Sequence, residues 1–205
     1  MKQFFATISM QPAKSLEKLD YVLDGAPDTK CMPASFPSIP MLESNLSSDD
    51  EYELYLIYTK DDEGRYKHCY DTFYKELSEL SERMGFGIKV TAEVQVPHEE
   101  SRSKHIGFFR DVCKLFKPET DVYMDVTYGT KATSISCFAS LTYAEDVLNC
   151  DIRSIVYGKY DHSGSGKGEL FDIRALYELS GLIHSASAMP GIDVDKMLDM
   201  FGGDE

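Results

Sequence analysis

Apolar and polar residues repeat along this chain with two distinct periods, and each change of period marks an element. Residues 2 to 8 (KQFFATI) read as a first strand, with Ser9, Met10, Gln11 and Pro12 as the turn that leaves it. From about residue 25 to 50, Pro27, Pro33, Pro37 and Pro40 interrupt any period, which predicts an irregular excursion with room for a short hairpin. Loops of that length are uncommon and often functional. Glu53 to Thr59 (ELYLIYT) is a near-continuous apolar run suited to a strand buried on both faces. Tyr66 to Met84 then places Tyr70, Phe73, Leu77, Leu80 and Met84 on one helical stripe, ended by Gly85 and Gly87.

Ile88 to Val96 alternates as a third strand, closed by Pro97. Ser101 to Phe116 predicts a helix with Ile106, Phe109, Val112, Cys113 and Phe116 in register, and the strand from Asp121 follows it. A helix from about Lys131 to Leu148 leads to a fifth strand, Ile152 to Tyr157. A polar loop, Asp161 to Gly168, precedes a short strand, Leu170 to Ile173, and a last helix through His184. Strands alternating with long helices imply parallel pairing through right-handed crossovers. The expected class is α/β, a Rossmann-like fold whose mostly parallel central sheet carries helices on both faces. One domain is expected over residues 1–187. Residues 188–205, with a single apolar cluster at Met197, Leu198, Met200 and Phe201, read as a tail or the start of a linker.

Composition narrows the functional classes. The 205 residues, 42% hydrophobic and 27% charged, suit one core. The five cysteines form no CxxC pair, and their odd number argues for a reducing compartment and against a disulfide framework. His68, His98, His105, His162 and His184 lack metal-ligand spacing, so neither metal nor cofactor is expected. No apolar run approaches the roughly 20 residues of a membrane helix, and the N-terminus does not read as a signal peptide; the expectation is a cytoplasmic protein with no membrane partner. A net charge of −14 argues against duplex nucleic acid as a partner. A small anion in a local pocket stays compatible, because the acidic surface is screened over about 8–10 Å.

The strongest candidate chemistry lies in Asp121 to Ser134 (DVYMDVTYGTKATS), a buried strand that ends in a polar, glycine-containing turn and opens a helix. Helix N-termini present free N–H groups and a partial positive charge, and so accept anions. Thr127 or Thr130 would equally serve as an ordinary helix cap. Lys131, however, opposes the dipole in the first helical turn, which points to an anion there. Two other strand ends carry polar turns, Ser9-Met10-Gln11 and Thr59-Lys60-Asp61, and ligands of open parallel sheets bind where such ends converge. Asp125, one residue inside its strand end, is expected to orient the turn by accepting hydrogen bonds. Gly164 to Gly168 (GSGKG) lacks phosphate-loop spacing and reads as a solvated hairpin tip, as Asp61, Asp62 and Glu63 read as a solvated turn.

The run DVTYGTKATS resembles the Asp-x-Thr-x-Gly-Thr-Lys signature of CARF domains, the CRISPR-associated Rossmann-like fold. YxLDG from Tyr21, the segment ending at Lys60, and SIVYGKY around Tyr157 fall in the order seen in that family. The likeness spans roughly residues 2 to 186, and Tyr128 stands where many members carry His or Gly. It implies a homodimer of antiviral type III CRISPR systems that binds a cyclic oligoadenylate, cyclic tetra-adenylate foremost, across its two-fold axis. By position, Ser9, Met10, Gln11, Thr127, Gly129, Thr130 and Lys131 would line the ligand, with Lys60 at the second strand end and Tyr128 offering a stacking face. Two roles follow from the resemblance. One is a sensor without catalytic residues that drives a C-terminal or separate effector; the other is a metal-independent ring nuclease, in which Lys131 and Thr130 would assist in-line attack by a ribose hydroxyl. A dinucleotide enzyme outside the family would need a GxGxxG after the first strand, which is absent.

Overall fold

The computed structural model describes residues 1–8, 10, 16–23, 28–61, 63–64, 66–96, 98–99, 101–160, 166–186 and 193–201. The chain divides into two compact units, Met1–Asp172 and Ile173–Glu205. The first contains β1 (Lys2–Thr7), β2 (Asp20–Leu23), α1 (Ser38–Asn45), β3 (Tyr52–Thr59), α2 (Tyr66–Met84), β4 (Ala92–Val96), α3 (Arg102–Cys113), β5 (Asp121–Asp125), α4 (Lys131–Leu148), β6 (Asp151–Tyr160) and β7 (Lys167–Asp172). The second contains α5 (Arg174–Ala186) and α6 (Val194–Phe201), which pack on each other.

The described strands of the first unit form one sheet in the order β2-β7-β6-β5-β1-β3-β4. β6, β5, β1, β3 and β4 run parallel; β7 returns antiparallel to β6, and β2 pairs parallel with β7 at the edge. The sequence explains this core. Phe4 and Phe5, Leu54 and Tyr55, and Leu56 and Ile57 are all buried, so successive side chains need apolar cover on opposite faces. On one face Phe4 stacks on Tyr123 at 4.7 Å and joins Ile39 and Leu42 of α1 and Phe73, Leu77 and Leu80 of α2. On the other, Phe5 meets Tyr55 at 4.9 Å and Phe116 at 4.8 Å. Right-handed crossovers from β4 to β5 and from β5 to β6 put α3 and α4, which pack together, on that second face. The result is a Rossmann-like α/β sandwich, and each fully buried Phe or Leu contributes about 1.5–3 kcal/mol by leaving water.

Differences from the expected elements are local. Helix α1 forms inside the proline-rich stretch, because Pro40 sits in its first turn, where a missing N–H costs nothing. β2 and α6 add two short elements, and β4 begins at Ala92 rather than Ile88. In α3 the buried residues are Phe108 and Val112, whereas Ile106 is 57% exposed, so the helix is rotated from the anticipated stripe. Residues 167–172 pair with β6 as a hairpin arm, while 161–165 lie outside the described residues. Asp61 is buried and engaged in an interaction rather than solvated, Glu63 is exposed, and Asp62 lies outside the described residues. The five cysteines are free thiols.

Two glycines separate backbone need from side-chain room. A Cβ on Gly158 of β6 would lie 2.3 Å from Pro37 Cγ, whereas one on Gly107 of α3 would meet nothing within 4 Å. Gly158→Ala should therefore destabilise by about 1–3 kcal/mol through overpacking. Gly107→Ala should stabilise by up to about 1 kcal/mol through helix propensity. Urea midpoints of the two variants check both signs.

Candidate functional site

Apart from the edge strand β2, the parallel strands that follow β1 in sequence lie first on one side of it, as β3 and β4, and then on the other, as β5 and β6. Strand order therefore reverses between β1 and β5, the position beyond whose carboxyl ends ligands of open parallel sheets bind. Thr7 ends β1 and Asp125 ends β5, so the turn Val126 to Thr130 and the N-terminus of α4 stand at this point.

Side chains at the strand ends hold the turn. The Thr127 N–H donates to Asp125 Oδ1 at 2.8 Å, and the Tyr128 N–H donates to Thr7 Oγ1 at 3.1 Å. Thr127 Oγ1 accepts from the Gly158 N–H of β6 at 2.9 Å, and Ser134 Oγ of α4 donates to the Val126 carbonyl at 2.9 Å. Gly129 is exposed at φ +108, a conformation that disfavours side chains. Thr130 is the N-cap of α4, its hydroxyl accepting from the Thr133 N–H at 3.2 Å. Lys131 follows, exposed and without an ion pair to the described residues, and the first turn of α4 carries no acidic residue. Free N–H groups and a solvated cation thus face outward from one fixed loop, an arrangement suited to an anion.

Tyr128 is turned inward. Its hydroxyl donates to the Ser35 carbonyl at 2.9 Å, and its ring meets Phe36 edge-on at 5.8 Å between centroids. Burial drives its phenol pKa up. Ser35 is itself fixed by Glu76 of α2, whose buried carboxylate accepts from the Ser35 N–H at 2.9 Å and from its hydroxyl at 2.8 Å. Thr7, Ser35 and Gly158 thus shape the site although the sequence did not single them out. For Thr7 a signal existed, since it is the first polar residue after the apolar run of β1. Met10 is half-buried and Lys60 is exposed after β3, while Ser9 and Gln11 lie outside the described residues.

Asp125 is fully buried. Burial pushes its carboxyl up to about 7, opposed first by Thr127 and then by the N–H groups of Thr7 and Ser38 that face it; Oδ2 nevertheless makes no hydrogen bond. The expected role, orienting the turn, is what the Thr127 bond provides.

No family model matches the chain, and no curated protein matches it. Among the described residues, no helix is long and apolar enough to cross a membrane.

Asp125 makes a test of this wiring by pH. Unfolded, it ionises near 3.8; folded, it keeps its proton to about 7, so between these values unfolding releases a proton and rising pH favours the unfolded chain. Asp125→Asn, which keeps the acceptor for Thr127, should remove this loss. The variant should gain roughly 2–4 kcal/mol relative to wild type between pH 4 and pH 8. Asp50, held down to about 2 by Lys2 and Ser47, acts in the opposite sense but is common to both proteins. Parallel stability–pH curves from urea unfolding would show that Asp125 does not titrate with folding.

Proposed function

We propose that the protein binds a cyclic oligoadenylate, cyclic tetra-adenylate foremost, and acts as a cytoplasmic sensor in a type III CRISPR defence system. The observation that carries this reading is the turn Thr127 to Lys131, fixed by the Thr127 and Tyr128 N–H bonds to Asp125 and Thr7, with the N-terminus of α4 and a lysine that has no ion pair among the described residues at the point where strand order reverses. The same residues carry the sequence resemblance to CARF domains. Backbone N–H groups and Lys131 meet the phosphates, and the Thr130 hydroxyl meets a phosphate or ribose oxygen. Ligand binding that shifts the turn would be passed on through α4, whose first residue is Lys131.

A second copy of the chain belongs to this reading. One turn beyond Lys131, α4 exposes a stripe at four-residue spacing, Ile135, Ala139, Tyr143 and Val147. Ile135 is 68% and Val147 62% exposed, and Ile106 of the adjoining α3 lies bare as well. Apolar surface in such a row favours a partner. Because it begins at the site, a two-fold interface through α4 would bring two copies of the turn to one symmetric ring.

Purified protein should show a thermal shift and saturable binding with cyclic tetra-adenylate, and the ring should survive prolonged incubation in EDTA. Linear products would favour the ring-nuclease role, and no binding to tetra- or hexa-adenylate rings would sink both. Lys131→Ala should weaken binding by about 1.5–3 kcal/mol; unchanged affinity would move the site elsewhere. Light scattering should report a dimer that Ile135→Glu converts to monomer, and a monomeric wild type that still binds the ring would remove the two-fold from the reading.

A further inference from the structure

The turn from Thr127 to Lys131 suits a phosphate, but it offers nothing to a base, since the Tyr128 ring is committed to Phe36 and its hydroxyl to Ser35. A nucleotide ligand leaves its bases to another surface. Exposed aromatic rings are the side chains best suited to hold a base, because ring and base both present a flat apolar face. In the first unit, among the described residues, two aromatic side chains are exposed, Tyr143 and Tyr157. Tyr143 lies about 18 Å along α4 from Lys131, in the row already assigned to a second copy.

Tyr157 stands at the turn itself. Val156 is the partner of Asp125 in the last pair of the β5–β6 ladder, so Tyr157 is the first residue of β6 past the end of β5. Both of its neighbours hold the turn: the Val156 carbonyl accepts from the Val126 N–H at 3.0 Å, and the Gly158 N–H donates to Thr127 Oγ1 at 2.9 Å. The Tyr157 backbone is thereby fixed against the turn, one strand spacing of about 4.8 Å from β5.

The direction of the side chain follows from the same neighbours. Val156 is buried in the core that includes Phe4, Ile39 and Phe73, and a Cβ on Gly158 would point at Pro37, just before α1. Side chains alternate along a strand, so Tyr157 points to the opposite face, the one on which α4 starts at Lys131. There it is 44% exposed, and its side chain makes no hydrogen bond, ion pair or ring contact with the described residues. Phe171, its cross-strand partner on β7, is half-buried and already lies against Lys159, whose Nζ is 5.9 Å from the ring centroid and 3.1 Å from Glu169. The free ring is that of Tyr157.

We infer that Tyr157 is the base-stacking residue of the ligand site, its ring taking one adenine of the cyclic oligoadenylate whose phosphate meets the turn. The inference rests on the oligoadenylate reading. A stack strengthens with the area of overlap, so the Tyr157 face favours a two-ring purine over a one-ring pyrimidine, and the phenol hydroxyl has no part in the contact.

Affinities for cyclic tetra-adenylate and cyclic tetra-uridylate test this in wild type, Tyr157→Thr and Tyr157→Phe, with melting temperature and light scattering as controls for fold and oligomeric state. Threonine keeps the strand preference and removes the ring, whereas phenylalanine keeps the ring and removes only the hydroxyl. Wild type should prefer the adenylate ring. Tyr157→Thr should lose about tenfold or more for that ring, much less for the uridylate ring, and so most of the preference. Tyr157→Phe should match wild type. Unchanged adenylate affinity in Tyr157→Thr, an equal loss in Tyr157→Phe, or a wild type without preference would overturn the stack and leave the oligoadenylate reading intact. Equal losses for both rings, or a loss accompanied by a lower melting temperature or a changed oligomeric state, would assign Tyr157 to structure or to an interface and overturn it too. No binding of the adenylate ring by wild type would overturn both proposals.

Discussion

The turn between β5 and α4 must satisfy its backbone polar groups at a place where the sheet cannot do so. Past the end of β5 the ladder stops, and the N–H groups of Thr127, Tyr128 and Gly158 are met by side chains rather than by a neighbouring strand. Each is taken by a side chain rooted at a strand end or within the turn: Asp125, Thr7 and Thr127 respectively. An unpaired buried N–H costs about 1–3 kcal/mol, so these three bonds fix one conformation of the turn at the expense of all others. The exposed N-terminus of α4 inherits its position from them.

A second anchor reaches the same turn from the opposite face. Glu76 lies wholly inside α2's packed side, where a carboxylate is costly, and burial raises its pKa against the pull of the Ser35 hydrogen bonds. Those bonds pin Ser35, whose carbonyl receives the Tyr128 hydroxyl. The aromatic residue most naturally assigned to a ligand is thereby committed to the core. Helix α2 and the turn that leaves β5 are tied through one loop residue, Ser35, which couples the stability of α2 to the geometry of the turn.

What the sequence made legible follows from how local each determinant is. The strands over Lys2–Thr7 and Tyr52–Thr59 and the helices over Tyr66–Met84 and Lys131–Leu148 appear where the two periods put them, because burial on both faces, or on one helical stripe, is written in consecutive residues. β2 was missed because only Tyr21 of its four residues is buried, so it carries no alternation strong enough to see. α1 was missed because prolines that read as loop sit at its cap and in its first turn. In the site, the Thr127 to Lys131 turn was legible because strand, turn and helix are contiguous. Ser35 and Thr7 were not, since the Tyr128 bonds to them span 93 and 121 residues and depend on the strand order itself.

A fixed turn is useful for anion recognition because the entropy of ordering the loop is met by folding rather than by the ligand. The arrangement carries its own cost in Asp125, whose second oxygen is buried without a partner. A site assembled from backbone N–H groups, hydroxyls and one lysine reads phosphate well and bases poorly, since none of these groups distinguishes one base edge from another. With Tyr128 turned inward, the bases of the proposed ligand would have to be read by groups outside this turn.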